Sequence, residues 1–388
     1  MPASPIRKLM PVAEEAKRRG VKVYHLNIGQ PDLETPAVMR ARLERAEKVF
    51  AYTPSNGTSE YLESLRVYYS RLGLDLELDE LIATTGGSEA LLFAFFACTA
   101  DGDDALVVEP YYTNYNSFAT MAGVRLVPLR SNGEDGFHLP PREAWERALT
   151  PRTRLVLLCN PNNPTGTVYS RAELEMVAAF CRDHGLFLVA DEVYREFTYD
   201  AKTHRSVLGL EGLEQQVIVV DSVSKRYSLC GARLGNIVSR NRAFMDAILR
   251  MGQARLCPPT VDQWACCGLT NVPASYTHGV IDEYRKRRDT VAAALAKMPG
   301  VFARTPEGAF YSCAKLPVDD ANAFAIFLLQ DFALDGETVM VAPLDGFYAT
   351  PGLGRDEIRL AYVLEVPKLE RAMRVLAAAL AAYPAKVG

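Results

Sequence analysis

VIVVDSVSKRYSLCGARLG, Val217 to Gly235, opens with a run of β-branched apolar residues suited to a strand buried on both faces, then delivers a lysine, Lys225, at the strand's end. A strand with no polar face belongs inside a sheet covered on both sides. An ammonium at the edge of such a core needs a chemical reason.

The surrounding sequence supplies the sheet. From about Leu81 to Ser239 short apolar segments (IATT, DALVVE, VRLVPL, RLVLLC, LFLVA, VIVVD and GNIVS) alternate with amphipathic stretches such as Ser170 to His184. Strand, helix and strand in repetition indicate an α/β fold with a mostly parallel sheet. After Gly252 the pattern changes. Residues 260 to 297 read as helix broken at Pro273, with DEYRKRRD as a solvated charged face. GAFYSCAKL and TVMVAP read as strands, and Lys368 to Ala382 as an amphipathic last helix. The expected division is a large domain over residues 46–285 and a smaller α+β domain built from residues 1–45 and 286–388.

Composition narrows the function classes. The chain has 388 residues, 49% hydrophobic and 23% charged, which suits a globular protein with a sizeable core. Its net charge of -4, with Lys and Arg dispersed among Asp and Glu, leaves no basic face for a phosphate backbone, so nucleic acid is not an expected partner. The longest apolar run, Ala90 to Cys98, is about half a membrane span, and the N-terminal stretch lacks the apolar segment of a signal peptide. A cytoplasmic protein with no membrane partner is expected. The 8 cysteines follow neither disulfide nor metal spacing and read as buried thiols, with no metal site.

In a doubly wound sheet, ligands bind beyond the carboxyl ends of the strands. Four such ends carry polar residues here. Gly86-Gly87-Ser88 opens a helix after LIATT, offering free NH groups for a phosphate, although a plain helix cap would look the same. NPNNPTG, Asn160 to Gly166, follows RLVLLC, and turn chemistry alone could account for it. DEVY follows LFLVA, with Asp191 at the strand end and Tyr194 three residues on. Ser222, Ser224 and Lys225 follow VIVVD, with Arg233 eight residues beyond the lysine. Turns do not require polar groups at every one of these ends.

These residues carry a resemblance. SVSKRYSLCGARLG is similar to the lysine segment of the pyridoxal-phosphate (PLP) aminotransferases of class I/II, fold type I, and NPNNPTG and DEVY match that family's other signatures in the same order. The resemblance runs from LNIGQPD to IRLAYV and implies a homodimeric, aspartate aminotransferase-like enzyme acting on a small amino acid and a 2-oxo acid. It implies that Lys225 forms a Schiff base with the cofactor and moves the substrate proton, and that Asp191 keeps the pyridine nitrogen protonated. By the same resemblance Asn163 and Tyr194 bond the ring hydroxyl, and Tyr112 stacks on the ring. Gly87, Ser88, Ser222, Ser224 and Arg233 hold the phosphate, with Tyr52 reaching it from the neighbouring subunit. Arg359 and Gly29, with Asn163, take the substrate carboxylate.

The chain departs from some bacterial aspartate aminotransferases, which carry a lysine where Ser88 stands, and no second arginine for a distal carboxylate is identified in the sequence. Aspartate therefore stands beside neutral or aromatic amino acids as a candidate substrate. A β-lyase would keep every motif, and a non-catalytic module would not need Lys225, Asp191 and Arg359 together.

Overall fold

A computed structural model describes residues 7–44 and 48–383. The boundary expected between residues 45 and 46 lies outside the described residues. In chain order the strands are β1 (Lys22–His25), β2 (Leu81–Thr84), β3 (Asp104–Glu109), β4 (Arg125–Arg130), β5 (Thr153–Cys159), β6 (Phe187–Asp191), β7 (Val217–Ser222), β8 (Gly235–Val238), β9 (Tyr311–Lys315), β10 (Glu337–Met340), β11 (Ala342–Pro343) and β12 (Glu357–Ala361).

Seven of them form one sheet in the order β2-β8-β7-β6-β5-β3-β4. Only β8 runs against the others: its pairings with β2 and β7 are antiparallel, while the pairings from β7 through to β4 are parallel. All seven expected strands are present. The apolar run that opens Val217–Gly235 is β7, and every residue of it is buried. Its period of two feeds two cores: Ile218 and Val220 join one hydrophobic cluster, Val217 and Val219 the other. Helices on both faces cover the sheet, among them Gly86–Cys98 and the capped helix Arg171–His184, whose Ser170 and Glu173 make reciprocal bonds at its start. Because β5, β6 and β7 are parallel, Cys159, Asp191 and Ser222 all end on the same edge.

The remaining strands make two small sheets, β1 parallel to β10, and β9, β12 and β11 antiparallel in the order β11-β12-β9. The β1–β10 pairing joins the N-terminal segment to the C-terminal region. Helix Ala274–Leu295 runs unbroken through residue 285, so the boundary expected there falls within one element. The expectation of a solvated face over DEYRKRRD is corrected for two of its residues. Arg287 and Arg288 are buried, Arg287 paired with Asp32 at 2.6 Å and Glu283 at 2.8 Å, and Arg288 with Asp200 at 2.5 Å. Carboxylates elsewhere in the fold take these guanidinium groups inward, where burial is tolerable only because they are paired. No helix among the described residues is long and apolar enough to cross a membrane.

Candidate active site

Lys225 stands on a one-turn helix, Val223–Arg226, that follows β7 directly. Ser222 caps it, its hydroxyl accepting from the Ser224 amide at 3.2 Å. The next residue, Arg226, turns back and donates to the buried carboxylate of Asp221, which also faces Arg195 at 3.7 Å. That ion network fixes the turn on both sides of the lysine. Lys225 Nζ donates to the Gly29 carbonyl at 2.8 Å and lies 3.7 Å from Cys230 Sγ. Burial lowers the lysine's pKa; the Cys230 thiol opposes the shift, and the charges of Arg359 and Arg233 add to it. Glycine is required at position 29, because a Cβ there would fall 1.8 Å from the Tyr311 hydroxyl.

Opposite charges surround the lysine. Asp191, at the end of β6, accepts from the Tyr115 hydroxyl at 2.9 Å and the Val193 amide at 3.3 Å. Burial nonetheless pushes its pKa up to about 6, against those two bonds and the charge of Lys225. Arg359, on β12, is 1% exposed and has no ion-pair partner among the described residues. Its guanidinium donates to Asn163 Oδ1 at 2.9 Å and the Asn27 carbonyl at 2.6 Å, and packs 4.4 Å from the Tyr311 ring centroid, while Nε has no hydrogen bond. A buried guanidinium held by neutral groups alone is built to receive an anion. Tyr194 and Tyr311 share a hydroxyl–hydroxyl bond of 2.8 Å.

On the other side of Lys225, Gly235 lets β8 press against the Gly86-Gly87 turn. A Cβ at 235 would fall 2.6 Å from the Gly86 carbonyl carbon and 2.7 Å from the Gly87 nitrogen. Arg233 adopts a left-handed backbone, φ 49°, unusual outside glycine, and is held by a bond from its guanidinium to the Cys230 carbonyl at 2.9 Å. Ser222 and Ser224 hydroxyls lie 2.7 Å apart. A cavity of about 290 Å³ joins these groups, and all of the residues singled out in the sequence line it except Tyr52. Tyr52 is 80% exposed and stands apart from this chain's own cavity.

The family model for aminotransferase class I and II matches residues 21–376. The chain belongs to that family. It is an aminotransferase, an enzyme that moves amino groups, and its cofactor is PLP. It is 30% identical to an aspartate aminotransferase of Rhizobium meliloti, across 97% of this chain and 93% of that protein. It is 33% identical to an aspartate/prephenate aminotransferase of Thermus thermophilus, across 77% and 78%. A solved structure of aspartate aminotransferase from Thermus thermophilus with maleate superposes with a TM-score of 0.89 at 30% identity, covering 98% of this chain and 97% of that one. An alanine aminotransferase from Pyrococcus furiosus superposes equally well, TM-score 0.89 at 27% identity, over 98% of both chains.

The aminotransferase cavity suits this cofactor on its own geometry. A cradle of glycine backbone, two serines and an arginine without an acidic partner among the described residues fits a phosphate, and a buried carboxylate stands where a cation would relieve its burial. Among the lining residues to which the sequence reading gave no role are Tyr311, Cys230, Asn114 and Arg7. Cys230 lies within the lysine signature but is not one of its marked positions, and Tyr115 meets Asp191 across 76 positions of sequence.

Proposed function

We propose that the chain is an L-amino acid:2-oxo acid aminotransferase in which Lys225 Nζ moves the proton of the substrate α-carbon. The observation that carries this is a buried amine of lowered pKa lining one cavity with a buried carboxylate and a buried guanidinium that has no ion-pair partner among the described residues. When bound, PLP supplies an aldehyde that captures the amino group and a ring that accepts the electron pair released at the α-carbon. Arg233, Ser222, Ser224 and the Gly87-Ser88 backbone would hold its phosphate, Asp191 its ring nitrogen, Asn163 and Tyr194 its ring hydroxyl, with Tyr112 alongside.

The chain's own residues then divide the work. Arg359 orients the substrate through its α-carboxylate, with Gly29 at its side. Lys225, whose charge burial disfavours, takes up the α-proton at Nζ. Tyr311, shielded by Tyr194 and Phe310, helps exclude water from the amine.

A panel of amino-acid donors with 2-oxoglutarate, scored for keto acid and for ammonia, tests this directly. Keto acid without ammonia is the expected result; ammonia in place of keto-acid exchange would make the chain a β-lyase. The names of the relatives, aspartate, prephenate and alanine among them, support amino-acid and 2-oxo-acid substrates in general, with aspartate one of the candidates. Arg359→Lys should raise the KM of donor and acceptor together, about tenfold or more, because both present an α-carboxylate to a planar fork that a point charge does not replace. Unchanged constants for both would contradict its role.

The same reading makes the chain a cytoplasmic homodimer of two-domain subunits, large domain 46–285, with shared sites. All 8 cysteines are free, as a reducing compartment requires. Tyr52 lies in an exposed apolar stretch with Val49 and Phe50, a surface suited to a second copy. If Tyr52 serves the opposite site, mixing Tyr52→Ala with Lys225→Ala subunits leaves one intact site in each hybrid dimer, about a quarter of all sites in an equal random mixture. Activity equal to the average of the two parents, with exchange verified by mass spectrometry, would reject sharing.

A further inference from the structure

Lys225 and Asp191 line the cavity, whereas Arg226 and Glu192, each one position further along the chain, do not. Strand alternation explains the split. Along β6, Val189 and Asp191 share one face, and Leu188, Ala190 and Glu192 continue the other. Along β7, Val220 and Ser222 lie on the cavity side, while Val217, Val219 and Asp221 face the second core. Two charged residues therefore stand directly behind the lysine and the carboxylate.

They belong to one buried ion network. Arg195 pairs with Glu192 at 3.0 Å and faces Asp221 at 3.7 Å. Asp221 also accepts from Arg226, whose guanidinium donates in addition to the Ser222 carbonyl at 3.2 Å and packs 4.4 Å from the Tyr68 ring centroid. Glu192, Arg195, Asp221 and Arg226 are all 5% exposed or less, with Glu196 3.7 Å from Arg226 and His204 3.6 Å from Glu192 at the margins. Burying these charges costs desolvation that their attraction only roughly offsets, so apolar residues of similar volume would stabilise the core as well. Apolar packing would not supply a fixed direction. The Arg226 fork closes a loop from the end of the one-turn helix back to the residue that caps it, and Arg195 ties that loop to the residue beside Asp191. A helix of four residues has too few bonds of its own to hold its shape.

We infer that the Glu192–Arg195–Asp221–Arg226 network is a positioning device: it locks the ends of β6 and β7 together, so that the Lys225 amine and the Asp191 carboxylate keep one separation, and Arg226 is the positioning residue of the lysine. The inference rests on the reading that Lys225 carries the substrate proton. Arg226 touches neither substrate nor cofactor in that reading. It acts through Asp221 and Ser222 on the turn that bears the amine.

The test compares the wild-type protein with Arg226→Gln, Arg226→Lys and Lys225→Ala. Two rates are measured beside Tm: the rate at which apoprotein saturated with PLP forms its Schiff base, followed by absorbance, and the single-turnover rate with one amino acid, expressed per PLP-loaded site. Arg226→Gln should slow both about tenfold to a hundredfold, the scale of a displacement of about 1 Å at a reacting group. Arg226→Lys keeps a charge opposite Asp221 but not the fork, so it should slow both by less, and it decides the matter if Arg226→Gln does not fold. Both rates equal to wild type, even with a lowered Tm, would make the network purely structural and overturn the inference. A fall in only one of them overturns it too, because a displaced amine slows both steps. Lys225→Ala separates the reading beneath: if that variant turns over near the wild-type rate, Lys225 is not the proton carrier, whatever Arg226 does.

Discussion

Replacing Lys225 by alanine should cut turnover by at least about a thousandfold while the protein still takes up PLP. The two outcomes separate because different residues carry them. In the proposed site Arg233, Ser222, Ser224 and the Gly87-Ser88 backbone would hold the phosphate without the lysine amine, and the Arg226–Asp221 pair that fixes the turn remains. What is lost is the amine that, among the described residues lining the cavity, could carry a proton at the α-carbon. Its neighbours are poor substitutes: Tyr194 is held above its ordinary pKa by burial, and the Arg359 guanidinium is engaged by Asn163 Oδ1 and the Asn27 carbonyl. Calorimetry of PLP binding and steady-state rates with an amino-acid donor check the two halves. Turnover within tenfold of wild type would remove Lys225 from the chemistry.

Asp191→Asn should leave the fold and PLP uptake intact and slow the first half-reaction by about a hundredfold or more. Burial lifts the carboxylate's pKa to about 6 even though Tyr115 and Val193 both bond it, so the site has a strong preference for a cation opposite. In the proposed site that carboxylate would keep the cofactor's ring nitrogen protonated, the charge that lets the ring accept electrons. Asparagine fills the same space and can still accept the Tyr115 bond, but it carries no charge. Single-turnover rates with one amino acid read the step directly, and a rate near wild type would show that Asp191 does not support it.

How much of this was legible in the sequence follows from the range over which each feature is encoded. The buried strands could be read because all-apolar runs such as Val217–Val220 are local, and their twofold period feeds both cores. Lys225 and Asp191 could be read because they stand at or just beyond strand ends, where a parallel sheet gathers its polar groups. The pairings could not. Gly29 meets Lys225, and Arg359 meets Asn163, each across 196 positions, and no periodicity connects them. Gly29 itself was understood only in part: the close approach that demands glycine is that of Tyr311. DEYRKRRD misled for a related reason, since charge suggests solvent unless the carboxylates that cover Arg287 and Arg288 are known to be nearby. Arg7 gave no signal at all, because an arginine near a chain end has no pattern to stand in.

Borohydride reduction of the PLP-loaded protein, followed by proteolysis and mass spectrometry, tests the central claim most directly. If Lys225 is the residue that holds the cofactor's aldehyde carbon, the pyridoxyl mass appears on the peptide containing Lys225 and is absent from the Lys225→Ala protein treated in the same way. A pyridoxyl label on any other lysine of the wild-type chain, with Lys225 unmodified, would contradict it.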